Sequence, residues 1–154
     1  MSVLFFNLDS DSSLKRPLII HRALLGSIER FLAILLEHYN GKLPFWINPR
    51  QAMIISTTPN AFEYAQEIQK DLSSQKQRNG LFYYCNVDNS DRTLSKKVRE
   101  AVVDGYSYVI VVGEREMSNK TVFLKKREDI KAAGAEMTLD QVRELFQDLD
   151  QNYL

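Results

Sequence analysis

Apolar residues follow two kinds of spacing along this chain. Between residues 24 and 38 they recur every three or four positions, at Leu24, Ile28, Phe31 and Leu35. This spacing predicts an amphipathic helix, because such positions share one helical face. Other apolar residues form short unbroken runs at 17–21, 52–55, 81–87 and 106–113. Unbroken runs of this length are typical of strands that are buried on both faces.

Helix-type and loop-type segments separate the later runs. In chain order the pattern predicts a connector at 40–50, helices at about 60–77 and 93–104, a strand at 121–124 and a last helix from Thr138. Gly41, Pro44 and Pro49 mark the connector, and the capping box Thr138-Leu139-Asp140-Gln141 marks the last helix. Strands that alternate with helices predict an α/β fold with a mixed, largely parallel five-stranded sheet flanked by helices.

Charge is balanced in total but unevenly distributed. Twenty basic and twenty acidic side chains cancel over 154 residues. The basic residues of the second half are Arg92, Lys96, Lys97, Arg99, Arg115, Lys120, Lys125, Lys126 and Arg127. Such a cluster can neutralise RNA phosphates, although composition alone favours ordinary solvated helix faces. Unpaired bases could stack on aromatic side chains in this half, but at least half of those in strands are expected in the core. The candidates are Phe82, Tyr83, Tyr84, Tyr106, Tyr108 and Phe123.

The sequence contains no complete set of catalytic or metal-binding residues. His21 and His38 are the two histidines, and no partner at metal-ligand spacing completes a zinc site. Nucleotide-binding glycine motifs and a nucleophile turn are missing, which disfavours an independent enzyme. The single cysteine, Cys85, excludes an internal disulfide and is predicted to be a buried, inert thiol. With no apolar stretch long enough for a bilayer and no signal peptide, a cytoplasmic location is expected.

Two stretches of the chain resemble threonyl-tRNA synthetases. Residues 16–51, RPLIIHRALLGSIERFLAILLEHYNGKLPFWINPRQ, resemble the end of the class II catalytic domain and its junction with the anticodon-binding domain. Residues 91–116, DRTLSKKVREAVVDGYSYVIVVGERE, resemble the core of the anticodon-binding domain, most of all in cytosolic eukaryotic members. The resemblance implies a catalytic-domain remnant at 1–44, a strand and a helix with the third class II motif, followed by an anticodon-binding domain of class IIa fold at 45–154.

The resemblance also implies two relics of a catalytic site. Arg30 takes the position of the motif arginine that contacts ATP in intact family members, a task that suits a permanently charged guanidinium. His21 takes the position of one zinc ligand, and the other two ligands are absent from this sequence. The chain alone is therefore expected to be inactive and to need no cofactor, whereas the intact family enzyme uses ATP and zinc.

Anticodon reading in the family uses an asparagine, a glutamate and an arginine. Their positions are held here by Asp91, Glu116 and Lys125, of which Glu116 alone keeps the residue type. Asp91 cannot donate a hydrogen bond as asparagine does, and Lys125 lacks the forked guanidinium. The expected tRNA-binding residues are Asp91, Lys96, Lys97, Arg99, Glu116, Lys125 and Arg127.

Two functional hypotheses follow from this comparison. The leading one is the part of a threonyl-tRNA synthetase that binds the anticodon stem-loop, in an enzyme that attaches threonine to its tRNA with ATP. The alternative is a free-standing, non-catalytic RNA-binding or protein-interaction module derived from that domain, which the changed residues Asp91 and Lys125 favour. The expected partner is threonine tRNA, not DNA or a membrane. The apolar segment 17–36 is expected to fold back, to bind the missing catalytic part or to self-associate.

Overall fold

The structure is a computed structural model that describes residues 7–8, 14–15, 20, 22–77, 80–129 and 134–154. The chain divides into two compact units, Met1–Ile34 and Leu35–Leu154. In the first unit β1 (Asn7–Leu8) pairs antiparallel with β2 (Leu14–Lys15). The strand predicted at 17–21 lies outside the described residues except for Ile20. The predicted domain boundary at residue 44 stays a prediction.

Helix α1 (Ile28–His38) begins one turn later than the apolar spacing predicted. Gly26 has a φ of +65°, a left-handed conformation that a helix interior does not accept. The first helical hydrogen bond therefore runs from the Phe31 N–H to the Ser27 carbonyl, at 3.0 Å. At the other end the Gly41 N–H donates to the Leu36 carbonyl at 2.8 Å, with Gly41 at a φ of +72°. A glycine in this conformation is a common way to end a helix.

The second unit contains a mixed five-stranded sheet with helices on both faces. Its elements are β3 (Ala52–Ser56), α2 (Phe62–Ser74), β4 (Cys85–Asp88), α3 (Leu94–Val103), β5 (Tyr108–Val112), α4 (Glu114–Asn119), β6 (Thr121–Lys126), β7 (Ala135–Thr138) and α5 (Leu139–Gln151). The strand order is β4-β3-β5-β6-β7. Strand β3 runs parallel to β4 and β5, whereas β6 runs antiparallel to β5 and β7. The predicted mixed α/β sheet is confirmed.

Two hydrophobic cores lie on the two faces of this sheet. On one face α2 and α5 pack against the strands, with Phe146 of α5 fully buried and its ring centroid 4.7 Å from that of Phe45. On the other face Ala101 of α3 packs with Ile55 and Val109. Every residue of β5 is buried, as expected for a strand covered on both faces. None of the described helices is long and apolar enough to cross a bilayer.

The structure differs from the predicted elements at three places. Strand β4 begins at Cys85 rather than at residue 81, because the Tyr84 N–H donates instead to the Gln51 side chain, at 2.8 Å. Helix α4 and strand β7 were not predicted. Both are short and polar, so they carry little of the periodic apolar signal that identifies longer elements. Strand β7 nevertheless completes the sheet, with Glu136 opposite Phe123.

Candidate nucleic-acid interface

A groove runs between α3 and β6 on one face of the sheet. Residues two apart on a strand share a face, so β6 presents Phe123 and Lys125 there. Their partners on β5 are Val111 and Val109. The groove has a volume of about 460 Å³, and its lining consists of Leu94, Ser95, Val98, Arg99, Val102, Val103, Val111, Phe123 and Lys125. Most of this surface is apolar, and Arg99 and Lys125 supply positive charge.

Phe123 is a half-buried aromatic residue that packs against the core on this face of the sheet, and its neighbours hold it in place. The Lys125 ammonium lies 5.6 Å from the centre of the Phe123 ring, within range of a cation–π interaction. The backbone of Gly134 approaches so closely that an added Cβ would stand 2.7 Å from the ring and 2.8 Å from Lys125 Cγ. Glycine is therefore required at this point of contact. An aromatic face beside a cation is the combination that stacks on unpaired bases and attracts their phosphates.

Two predicted base-reading residues lie at the carboxyl edge of the sheet. The parallel strands β3, β4 and β5 all end there. The loop after β4 carries Asp91, and Glu116 lies in the first turn of α4, directly after β5. Asp91 is exposed, and its carboxylate has no hydrogen-bond partner in the described part of the chain. Glu116 is half-buried, and its Oε2 accepts from the Gly113 N–H at 2.9 Å at the start of α4. One carboxylate oxygen of Glu116 is thus engaged in capping a helix.

Lys125, the third predicted base-reading residue, lies elsewhere along the sheet. It is opposite Val109, four residues before Gly113 on β5, which corresponds to about 13 Å at roughly 3.3 Å per residue. The structure therefore does not bring Asp91, Glu116 and Lys125 together around a single base. Contacts with successive nucleotides of one strand remain compatible with this spacing.

The predicted phosphate ligands divide into surface residues and residues with other partners. Lys96 and Arg99 are exposed on α3. Lys97 is only 5% exposed, and its ammonium donates to the Ser56 carbonyl at 3.1 Å. The Arg127 guanidinium donates to the carbonyls of Gly105, at 3.1 Å, and Leu43, at 3.4 Å. Lys97 is therefore buried rather than exposed on α3, and the half-buried Arg127 has backbone partners. Their contact with RNA stays a prediction.

A network of polar side chains holds the loop between β4 and α3. The Asp88 carboxylate accepts from the Ser90 N–H at 2.9 Å, and Arg92 donates to the Ser90 hydroxyl at 2.9 Å. Arg92 also pairs with Asp88, at 3.4 Å, and with Glu100 of α3. Burial alone would raise the pKa of Asp88, but the hydrogen bonds from Ser90 and the charges of Lys97 and Arg92 lower it overall. Arg92 belongs to the basic cluster of the second half, and its position in this network has no local sequence signal.

The residues implied for ATP and zinc do not form a site in the described part of the chain. Arg30 lies in the first turn of α1 with an exposed side chain. His21 lies outside the described residues. No group of three His, Cys, Asp or Glu side chains within the described ranges is placed to hold a metal ion. One exposed arginine is not enough to bind a nucleotide, so no catalytic step can be derived from these residues.

The mixed sheet of the second unit is accompanied by a sequence match that shows the family. Residues 51–149 match the family model described as the anticodon binding domain, and the chain is a member of that family.

Its relatives are threonyl-tRNA synthetases, as the sequence resemblance predicted. A Dictyostelium discoideum protein named probable threonine–tRNA ligase 1, cytoplasmic, is 46% identical over 116 residues, which cover 75% of this chain and 16% of that protein. An Arabidopsis thaliana protein named threonine–tRNA ligase, mitochondrial 1, is 40% identical over 145 residues, which cover 92% of this chain and 19% of the relative. This chain therefore spans less than a fifth of either relative.

A solved structure gives the same result for the fold. The crystal structure of the RNA binding domain of threonyl-tRNA synthetase from Cryptosporidium parvum Iowa II is similar, with a TM-score of 0.73 and 40% sequence identity. The similarity covers 88% of this chain and 32% of that chain. The predicted class IIa anticodon-binding fold is thus confirmed.

Proposed function

We propose that this chain binds the anticodon stem-loop of threonine tRNA through the groove beside α3. The observation that carries the proposal is the Phe123 ring, flanked by Lys125 and fixed by Gly134, in a domain of the anticodon-binding family. The ATP-dependent attachment of threonine is proposed for a whole protein that includes such a domain. ATP and zinc belong to that whole protein, and no cofactor is proposed for the groove. A cytoplasmic location is proposed as well.

The groove and the carboxyl edge of the sheet have separate tasks in this proposal. The Phe123 ring stacks on an unpaired base, a contact worth about 1–3 kcal/mol. Arg99 and Lys125 neutralise phosphates, with Lys96 adding positive charge from the exposed side of α3. Asp91 and Glu116 accept hydrogen bonds from base N–H groups, because ionised carboxylates are acceptors only. Stacking and phosphate contacts supply affinity, and the two carboxylates supply discrimination between sequences.

The distribution of charge supports an approach of RNA from the α3 side. The opposite face of the sheet is covered by α2 and α5. Exposed acidic residues of these two helices are Glu63, Glu67, Asp140, Glu144 and Asp148. Phosphates would be repelled from that surface, since like charges are unfavourable at short range. The balanced net charge of the chain therefore conceals one face suited to RNA and one that is not.

Substitution of Phe123 by leucine tests the proposal, because it keeps apolar volume but removes the stacking surface. We expect the dissociation constant for a threonine anticodon stem-loop to rise about tenfold, in line with the loss of one base stack. Phe82→Leu serves as the matched control, since Phe82 is an exposed aromatic residue outside the groove. Binding would be measured by fluorescence anisotropy at fixed salt. Equal affinities for both variants and the unchanged chain would refute a role for the groove.

A free-standing module that binds RNA without reading the anticodon is the second candidate. It is favoured by the inward positions of Lys97 and Arg127, which reduce the number of cations available to RNA. This candidate predicts weak, salt-sensitive binding that does not change when the anticodon bases are replaced. The same anisotropy measurement with an anticodon-substituted stem-loop separates the two, because anticodon reading requires a difference between the RNAs.

We also propose that the exposed apolar side chains of α1 are covered in the functional protein by a part of the synthetase outside this sequence. Ile28 is 70% exposed and Ile34 is 62% exposed, and α1 has no buried residue. Large exposed apolar surfaces are typical of interaction sites. The expected cover is the catalytic part of the synthetase, and a second copy of this chain takes its place when that part is absent.

A further inference from the structure

The loop that joins β4 to α3 is held by one guanidinium. Arg92 reaches back to Asp88 at the end of β4, to the Ser90 hydroxyl within the loop, and forward to Glu100 on α3. These acceptors belong to three separate pieces of the chain. Arg92 therefore connects the end of a strand, the loop and a helix two turns further on.

Among the described residues, one further side-chain hydrogen bond holds this loop. Within it, the Ser90 N–H donates to the Asp88 carboxylate at 2.9 Å, which forms a local turn. Asp91 lies between Ser90 and Arg92, with its own side chain exposed and without a hydrogen-bond partner among the described residues. The direction in which the Asp91 carboxylate points is thus decided by the backbone on either side of it. Both neighbours, Ser90 and Arg92, belong to the network.

A forked cation suits this task better than a single salt bridge would. An isolated exposed ion pair contributes little, because solvent screens it and side-chain entropy opposes it. Arg92 is exposed, so none of its ion pairs holds the loop by its strength alone. A planar guanidinium with several donors in fixed directions defines a geometry when three acceptors surround it. Because Asp91 is joined to Arg92 by one peptide bond, a fixed position of Arg92 also restricts the backbone of Asp91.

We propose that Arg92 is a positioning residue for RNA discrimination, which fixes the Asp91 carboxylate without touching RNA itself. The inference rests on the proposed function, in which Asp91 accepts hydrogen bonds from base N–H groups. Its donors are directed at Asp88, Ser90 and Glu100, so it is not an additional phosphate ligand. Loss of Arg92 should therefore reduce discrimination between RNAs and leave the general electrostatic attraction almost unchanged.

A double-mutant cycle on the full chain tests this inference. Asp91→Ala, Arg92→Ala and the double variant are titrated with a threonine anticodon stem-loop and with the same stem-loop carrying substituted anticodon bases. Discrimination is the dissociation constant for the substituted stem-loop divided by that for the threonine stem-loop. We expect this ratio to fall roughly fivefold or more in each single variant. The double variant should lose no more than Asp91→Ala alone, since residues that act through one another are not additive. Lys70→Ala on α2 is the control for the loss of one exposed positive charge.

Salt dependence distinguishes positioning from direct phosphate contact. A residue that neutralises one phosphate of a single strand contributes about 0.7 to the slope of log affinity against log salt. Arg92→Ala should leave this slope unchanged, whereas Arg99→Ala should lower it. Amide hydrogen exchange in the absence of RNA provides a second readout, with faster exchange expected at residues 89–93 in Arg92→Ala. Arg92→Lys, which keeps the charge but not the fork, should restore discrimination only in part.

Different outcomes separate failure of this inference from failure of the proposed function. If Asp91→Ala loses discrimination but Arg92→Ala keeps it, the positioning role of Arg92 is wrong. The proposed binding of RNA in the groove is then unaffected. A lowered salt slope for Arg92→Ala would instead make Arg92 a phosphate ligand and overturn the inference. If the unchanged chain shows no discrimination at all, anticodon reading fails first, and the inference falls with it. If Arg92→Ala does not fold, Glu100→Gln is a less disruptive substitution that removes one charged acceptor of Arg92. It is expected to show a smaller loss of discrimination.

Discussion

Asp88 is a residue through which the stability of the fold is expected to depend on pH. Hydrogen bonds from Ser90 and the charges of Lys97 and Arg92 outweigh the effect of burial and hold the pKa of Asp88 below its usual value of 3.8. A group whose pKa is lowered by folding stabilises the folded state above its unfolded pKa. That contribution is complete above about pH 5 and is lost as the pH falls through the lowered pKa.

Asp88→Asn should therefore lower the free energy of unfolding at pH 6 by roughly 1–3 kcal/mol, because charged hydrogen bonds are lost. At pH 3 the difference from the unchanged protein should shrink, since Asp88 becomes protonated in both folded and unfolded chains as the pH falls. Urea unfolding at the two pH values measures the effect, with Glu144→Gln on the exposed surface of α5 as control. A difference that stays constant with pH would contradict the assignment.

Side-chain type alone predicted some burial states correctly and others wrongly. Cys85, within an apolar run, is buried as expected, and burial raises the pKa of its thiol to about 12, with a hydrogen bond from Ser73 acting in the opposite direction. Lys97 and Arg127 were expected at the surface but donate to the carbonyls of Ser56 and Gly105. These carbonyls are distant in sequence, so no local pattern indicates that a cation will find them.

Among the elements, α5 owes its first turn to a capping box that the sequence predicted. The Thr138 N–H donates to Gln141 Oε1 at 2.9 Å, and the Thr138 hydroxyl accepts from the Gln141 N–H at 3.4 Å. Thr138→Ala removes the hydroxyl from an exposed position and should lower stability by about 1 kcal/mol, typical of a lost helix cap. Urea unfolding tests this, with Gln147→Ala in the exposed middle of α5 as control. Equal stability of both variants would mean that the cap contributes nothing.

The elements that sequence analysis identified are those with a strong apolar signal. Strands β3 and β5 are continuous apolar runs, and both were predicted close to their observed bounds. Strand β7 consists of AEMT at the edge of the sheet and is mostly exposed, so pairing with β6 rather than burial defines it. The groove could not be predicted either, because it depends on the distance between α3 and β6 and on the close approach of Gly134.

For the whole molecule, the exposed apolar residues of α1 predict association when no catalytic part is present. Leu32 and Leu36 lie one turn apart on α1, and both are exposed. Sedimentation velocity over a range of concentrations should show a dimer or larger species for the unchanged chain. The double variant Leu32→Glu and Leu36→Glu should shift the population to monomer, because burying these charges at an interface is unfavourable. A monomer at all concentrations for the unchanged chain would rule out self-association through this helix.

The strand order also means that some strands of the sheet pair with close neighbours in sequence and others with distant ones. Strands β5, β6 and β7 follow one another in sequence and pair directly, whereas Ala52 on β3 pairs with Tyr108 on β5. The chain between two distant strands loses more entropy before their contacts form. Pairing of β3 with β5 is therefore expected to be slow. The segment from β5 to α5 is therefore expected to form the folding nucleus, and β4, at the far edge, to join last. Substitutions in β6 should slow refolding, and those in β4 should mainly speed unfolding, as φ-value measurements can establish.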